Sequence, residues 1–256
     1  MRFLRHSSAQ SLLTALALAV AGCGQHAGPI EAGQRPTLGL MTSLPIYWSS
    51  GDALARLAQK PAQTHWARAA LEQSYRVEPL DTLAPTALDA ADILILAQPR
   101  ALSPLENVAL DEWVRGGGRV LLFADPALVL ESEYPLGDPR RPQESALLSP
   151  ILRRWGLELT FDESQAPLRR VTQGDIVLDI AAAGAFERTE GEDAVCRLAA
   201  ERVIAECAVG QGRVVAIADA TLLEDTAGTP AGRKVLAALI ARLRERAGDF
   251  PGSDQE

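Results

Sequence analysis

DEWVRGGGRVLLFADP, residues 111–126, decides how the chain is read. Three glycines adjoin an apolar run, and they either cradle a phosphate or turn the chain. A phosphate loop runs strand, glycine-rich turn, helix. The anion then meets the free N–H groups and the positive dipole end of the helix N-terminus. Here the order is reversed. Upstream, SPLENVALDEWVR carries Leu105, Val108, Ala109, Trp113 and Val114 at roughly helical spacing. Ser103 is placed as N-cap, Pro104 as the first helical residue and Glu106 as the capping-box partner. Downstream, Arg119–Phe123 reads as a buried strand. Gly116, Gly117 and Gly118 therefore fall at a helix C-terminus. A left-handed residue is wanted there, and the carbonyls repel an anion. No other glycine-rich loop in the chain has the strand-to-helix order.

The same texture extends in both directions. TLGLM (37–41), YRVEPL (75–80), ADILIL (91–96) and GRVVAIAD (212–219) read as strands. Thr64–Ser74, ALLSPILRRWG (146–156) and GRKVLAALIARLRERAG (232–248) read as helices. Buried strands alternating with helices predict an α/β fold: a mostly parallel sheet with helices on both faces. Between Leu157 and Ala208 the pattern changes to short β-type runs, LELTF, RRVTQ, DIVLDI, VCRLA and VIAEC. They predict a β-rich insertion before the last strand–helix unit. Residues 37–248 then form a single α/β domain, followed by a polar tail at 249–256.

GRVLLFADPAL (118–128) and GRVVAIADATL (212–222) match at Gly, Arg, Val, Ala, Asp and Leu with a constant offset. Two readings stay open. In the first, strands ending at Leu96, Ala124 and Ala218 are neighbours. Gln98, Asp125 and Asp219 then line one rim with Thr42 and Ser43, beyond the strand carboxyl ends where ligands bind in open α/β sheets. In the second, each Asp only caps the structure that follows its strand.

The N-terminus has the layout of a targeting segment. Arg2, Arg5 and His6 precede LLTALALAVA, an apolar run too short to span a bilayer comfortably. It ends in VAGC (20–23), which resembles a bacterial lipobox. The resemblance implies a signal peptide at 1–22, cleavage before Cys23, a diacylglyceryl group on its sulfur and acylation of the new N-terminus. Two or three acyl chains hold a protein stably on a membrane. The alternative is an ordinary secreted protein cut near AVA. Residues 23–36 read as a polar tether. Gly24, where inner-membrane retention would use Asp, points to the outer membrane rather than the inner. The expected location is the cell envelope, lipid-anchored and facing the periplasm. Removing Arg2 and Arg5 moves the formal charge from −8 to −10. An acidic surface argues against nucleic acid as a partner and against electrostatic docking to anionic lipid.

Two further cysteines lie in VCRLAAERVIAEC (195–207). A hairpin turning at Glu201-Arg202 pairs Ala199 with Ile204, Leu198 with Ala205, Arg197 with Glu206 and Cys196 with Cys207. It sets opposite charges across the strands and predicts a disulfide, which an oxidising compartment preserves. The alternative is two buried, reduced cysteines on separate elements.

With ADILILAQPRALSPLENVALDEWVRGGGRVLLFADP (91–126) and GQGRVVAIADATLLED (210–225), the chain resembles the GldG-like, ABC-transporter-associated auxiliary domains. That resemblance implies a glutamine-amidotransferase-like α/β fold, a periplasmic setting and ABC transporter components as partners. The amidotransferase nucleophile is missing: Ala97, Gln98, Pro99 and Arg100 follow strand ADILIL, with no Cys or Ser. His26 lies in the tether, and His65, in QTHWAR, reads as a surface helix residue. EGED (190–193) reads as a solvated loop rather than a Ca²⁺ site, no metal spacing is present, and no cofactor is expected. Tyr47 and Trp48 stand at a strand end, suited to ligand contact or to covering the core. The expected function is a non-catalytic, membrane-anchored binding or accessory lipoprotein. The alternative is a hydrolase using Asp125 and Asp219. A deep pocket with converging carboxylates would favour the enzyme, and a broad exposed apolar patch would favour the partner-binding protein.

Overall fold

The computed structural model describes residues 35–48, 64–132, 134–135, 137–138, 140–190, 194–225 and 227–245. The signal peptide, Cys23, His26, the tether as far as residue 34, residues 191–193 of the acidic cluster and the tail at 249–256 lie outside the described residues. The elements run β1 (Thr37–Thr42), α1 (Trp66–Leu71), β2 (Arg76–Pro79), α2 (Pro85–Asp89), β3 (Ile93–Ala97), α3 (Pro104–Arg115) and β4 (Arg119–Phe123). They continue with α4 (Ser149–Arg154), β5 (Leu157–Thr160), β6 (Leu168–Gln173), β7 (Ile176–Ala181), β8 (Ala185–Arg188), β9 (Ala194–Ala199), β10 (Ile204–Val209), β11 (Gly212–Ile217) and α5 (Pro230–Arg242).

One seven-stranded sheet has the order β2-β1-β3-β4-β11-β10-β9. From β2 to β11 the strands are parallel, while β10 and β9 are antiparallel. The α/β class is as expected. The β-rich stretch stands before the last strand–helix unit, as expected, and divides in three. β9 and β10 extend the main sheet, while β5–β8 and β6–β7 form two separate antiparallel pairs. β8 and the five-residue α2 had no counterpart in the sequence reading, and the 64–74 helix shortens to α1.

The parallel strands are apolar throughout because both faces are covered. Side chains alternate between the faces. Leu38, Leu40, Ile93, Ile95, Leu121, Phe123, Val215 and Ile217 meet α1, α5 and the β6–β7 hairpin through Trp66, Leu71, Leu236, Leu239, Ile176 and Leu178. Met41, Leu94, Leu96, Val120, Leu122, Val214 and Ala216 meet α2, α3 and α4 through Leu88, Leu110, Val114, Ile151 and Leu152. Each fully buried Leu or Ile contributes roughly 1.5–3 kcal/mol.

The glycine run turns the chain. Ser103 and Glu106 form the capping box at the start of α3, with Pro104 in the first turn. At the other end Gly117 takes φ +117, its N–H bonds the Val114 carbonyl at 2.9 Å, and the Gly118 N–H bonds Trp113 at 3.0 Å. This pair of bonds is a Schellman motif. A side chain on Gly118 would overlap the Trp113 indole. The Arg115 carbonyl accepts from the Gln211 N–H at 2.9 Å, which ties the β10–β11 turn to the helix end.

The β9–β10 register is the expected one, from Ala199 opposite Ile204 to Cys196 opposite Cys207, and the two cysteines form a disulfide. Arg197 reaches Glu206 at 3.1 Å, and Arg213 reaches the same carboxylate at 3.1 Å. Both central turn residues, Glu201 and Arg202, have positive φ, as the tight hairpin turn requires.

Candidate functional site

β3, β4 and β11 are adjacent and parallel, so their carboxyl ends deliver Gln98, Asp125 and Asp219 to one edge. Gln98 follows β3 with φ +47 and is fully buried. Its amide nitrogen donates to the Asp125 and Gln143 carbonyls, both at 2.9 Å, and its oxygen accepts from the Asp125 N–H at 2.8 Å. The Ser43 hydroxyl donates to the Gln98 carbonyl at 2.6 Å and accepts from the Gln143 N–H at 2.9 Å. Ser43, Gln98 and Asp125 are thus connected. The hydroxyl of Thr42, the last residue of β1, takes no part in that network and accepts from the Leu44 N–H at 2.9 Å.

The two aspartates make the same local turn. Asp125 Oδ1 accepts from the Ala127 N–H at 2.8 Å, and Asp219 Oδ1 accepts from the Thr221 N–H at 2.8 Å. Each is an Asx-turn closing the segment after its strand. The second oxygens bind further out. Asp125 Oδ2 accepts from the Ala220 N–H at 3.1 Å. Asp219 Oδ2 accepts from the Ala181 N–H and the Thr221 hydroxyl, both at 3.0 Å. Both residues are 1% exposed. Burial raises Asp125 to about 6, and the backbone donors only partly oppose it. Burial, then repulsion from Asp125, raises Asp219 to about 7. Glu224, which the sequence reading did not single out, lies close enough to add to the charge at Asp125, and burial raises its own pKa.

His65 differs from expectation. It is buried, not on a helix surface. Nδ1 accepts from the Ala67 N–H at 3.1 Å, capping α1. Nε2 therefore carries the proton and donates to the Leu223 carbonyl at 3.1 Å. Burial lowers its pKa, so the neutral ring clips α1 to the segment after β11. Tyr47 packs against the core under the Arg68 guanidinium, 4.1 Å from the ring centroid, while Trp48 stays exposed.

The edge can hold buried protons, because two carboxyls share a desolvated space. It offers little to a substrate. All four aspartate oxygens accept bonds from the protein, and the prominent cavities are lined by other residues. Among the described residues no group of His, Cys, Asp and Glu is placed to hold a metal ion. Nor is any helix there long and apolar enough to cross a membrane.

A family model described as an ABC-type uncharacterized transport system matches residues 35–177. Asp219, Cys196 and Cys207 lie beyond that stretch. No curated protein matches the chain. Among solved structures it is similar to the exo-beta-1,4-mannosidase Op5Man5 from Opitutaceae bacterium strain TAV5, at 14% identity and TM-score 0.46, over 81% of this chain and 35% of that one. It is also similar to a beta-galactosidase from Bacillus circulans sp. alkalophilus, at 16% identity and TM-score 0.47, over 84% and 31%. A putative thua-like protein from Bacteroides uniformis is similar at 11% identity and TM-score 0.42, over 85% and 94%. The chain spans about a third of the length of the two glycosidases.

Proposed function

The chain belongs to the ABC-type uncharacterized transport system auxiliary family, and from that membership we propose that it is a non-catalytic accessory of an ABC-type transporter. In this reading a lipid on Cys23 anchors it in the membrane and the domain faces the periplasm. The observation that carries the reading is the internal satisfaction of the sheet edge. Gln98 follows β3, where the resemblance to amidotransferases would call for a nucleophile, and its amide is spent on Asp125 and Gln143. Both carboxylates are spent on turns and backbone donors. A catalytic pair needs free oxygens that reach a substrate.

Affinity purification of the full chain from detergent-solubilised membranes should bring an ATPase and a permease with it. Recovery of the chain alone would reject the accessory reading.

The raised pKa values of Asp125 and Asp219 favour a second reading, a hydrolase with an acid–base pair at the edge. Its test is a hydrolytic activity of the purified chain that Asp219→Asn abolishes without unfolding it.

A further inference from the structure

A groove of about 480 Å³ opens at the amino edge of the sheet, the edge opposite Asp125 and Asp219. Its walls are α2 with the turn into β3, and the C-terminal end of α3 with its glycine turn. Trp113, half-buried, is its large apolar surface, and the buried Leu88 lies in its lining. The indole is held in place: Gly118 lies so close that a Cβ there would overlap the ring. Asp89, Asp92 and Glu112 are the charged residues lining the groove, and no Lys, Arg or His lines it. Asp92 is fixed by the Thr37 N–H at 2.7 Å. Asp89 and Glu112 are exposed, and their carboxylates have no hydrogen-bond or ion-pair partner among the described residues. The C-terminus of a twelve-residue helix adds the negative end of its dipole.

Three carboxylates that form no ion pair among the described residues, a helix C-terminus and an indole all attract the same kind of group. A cation over an indole face gains attraction from the ring quadrupole. A long cationic side chain also buries its apolar stem while keeping its charge near water. The three carboxylates are not grouped to hold a metal ion. The volume lies within the usual range for a binding pocket, about 300–1,000 Å³.

We propose that this groove docks a basic segment of a partner protein, with an arginine or lysine side chain against Trp113 and its charge among Asp89, Asp92 and Glu112. The proposal rests on the accessory reading only for the origin of the segment, a transporter subunit. The chemistry of the groove stands independently of it.

The probe is an acetylated, amidated tetra-arginine peptide titrated into the isotope-labelled full chain and followed by NMR. Saturable shifts are expected at the Trp113 indole N–H and the Gly116, Gly117 and Gly118 amides. Added salt should weaken them, and tetra-glutamate should leave them unmoved. Both substitutions in a D89N/E112Q variant are on the surface, so its fold should be kept. Its affinity should fall about three- to tenfold. Shifts scattered over the surface, or an unchanged affinity in D89N/E112Q, would overturn the proposal. If transporter subunits co-purify equally with wild type and D89N/E112Q, the groove proposal falls and the accessory reading stands. If the peptide binds the groove and no subunit co-purifies, the accessory reading falls and the groove stands.

Discussion

Asp125 and Asp219 occupy matching positions just beyond adjacent parallel strands. The register that pairs Val120 with Val214 and Phe123 with Ile217, carried past the strand ends, sets them side by side. Their closeness costs stability whenever both are ionised. In the unfolded chain both titrate near 4, whereas in the fold they rise to about 6 and about 7. Between about pH 4 and pH 7 the folded protein binds more protons than the unfolded chain, so these groups lower stability as pH rises through that window. His65 works in the opposite direction. Burial lowers its pKa, so its contribution is lost as pH falls below its ordinary value. Asp219→Asn should therefore cost more at about pH 5 than at about pH 8, by roughly 1–3 kcal/mol. Urea unfolding at both values checks this, and an equal cost would mean that Asp219 is not raised.

The disulfide closes a short loop, which stabilises by roughly 2–3 kcal/mol in the chain-entropy model. Cys196→Ser with Cys207→Ser should lower stability by about that amount. A thiol count on the unfolded, non-reduced protein should find neither Cys196 nor Cys207 free.

Glu106 accepts two bonds from Arg100, at 2.7 and 2.9 Å, and one each from the N–H groups of Leu83 and Ser103. The Arg100 guanidinium holds its carboxyl well below the usual range. Glu106→Ala strands buried donors and should cost about 2–4 kcal/mol. The loss should shrink as pH falls below the ordinary glutamate value, because the unfolded wild-type chain then binds a proton that the folded Glu106 does not, and the advantage of the ionised carboxylate fades. Thermal melts of both proteins across that range test it.

Gly117, in the turn after α3, and Gly212, where β11 meets the end of α3, should differ in tolerance. Ala at position 117 meets no atom and suffers only the left-handed backbone, about 1–2 kcal/mol. Ala at position 212 would collide with the Val114 carbonyl, a backbone atom that cannot swing away. Gly212→Ala should be clearly the more damaging in urea unfolding, and equal losses would contradict that packing.

Cys23→Ala should release the protein from membranes or leave it unprocessed. A variant that fractionates and migrates like wild type would exclude the lipid anchor.

Where several residues agreed on one geometry, the sequence could be read in detail. The offset between the GRV repeats is the register of β4 and β11. The charges and cysteines of VCRLAAERVIAEC specified the β9–β10 pairing residue by residue. Ser103, Pro104 and Glu106 marked the start of α3. AFER (β8) carries too few alternating residues to show a period, and its partner β5 is distant in the chain. His65 looked polar and therefore exposed. Its burial depends on Leu223, which only the folded chain brings to its ring. Sequence placed both aspartates at strand ends. It could not show that the Ala181 and Ala220 N–H groups would occupy their outer oxygens, because both contacts cross between elements.

The position of β11, between β4 and β10, also governs how the molecule is made. The β2-β1-β3-β4 half of the sheet is complete once Phe123 has emerged, but the next partner of β4 is not present until Gly212–Ile217 has followed. In a chain that emerges N-terminus first, the stretch from Phe123 to Ile217 sets the length of that interval. Throughout it Val120–Phe123, apolar on both faces, presents an open strand edge, the kind of template that recruits other chains. The emerging chain thus passes through a stage at which the strand bound for the centre of the sheet is an open, adhesive edge.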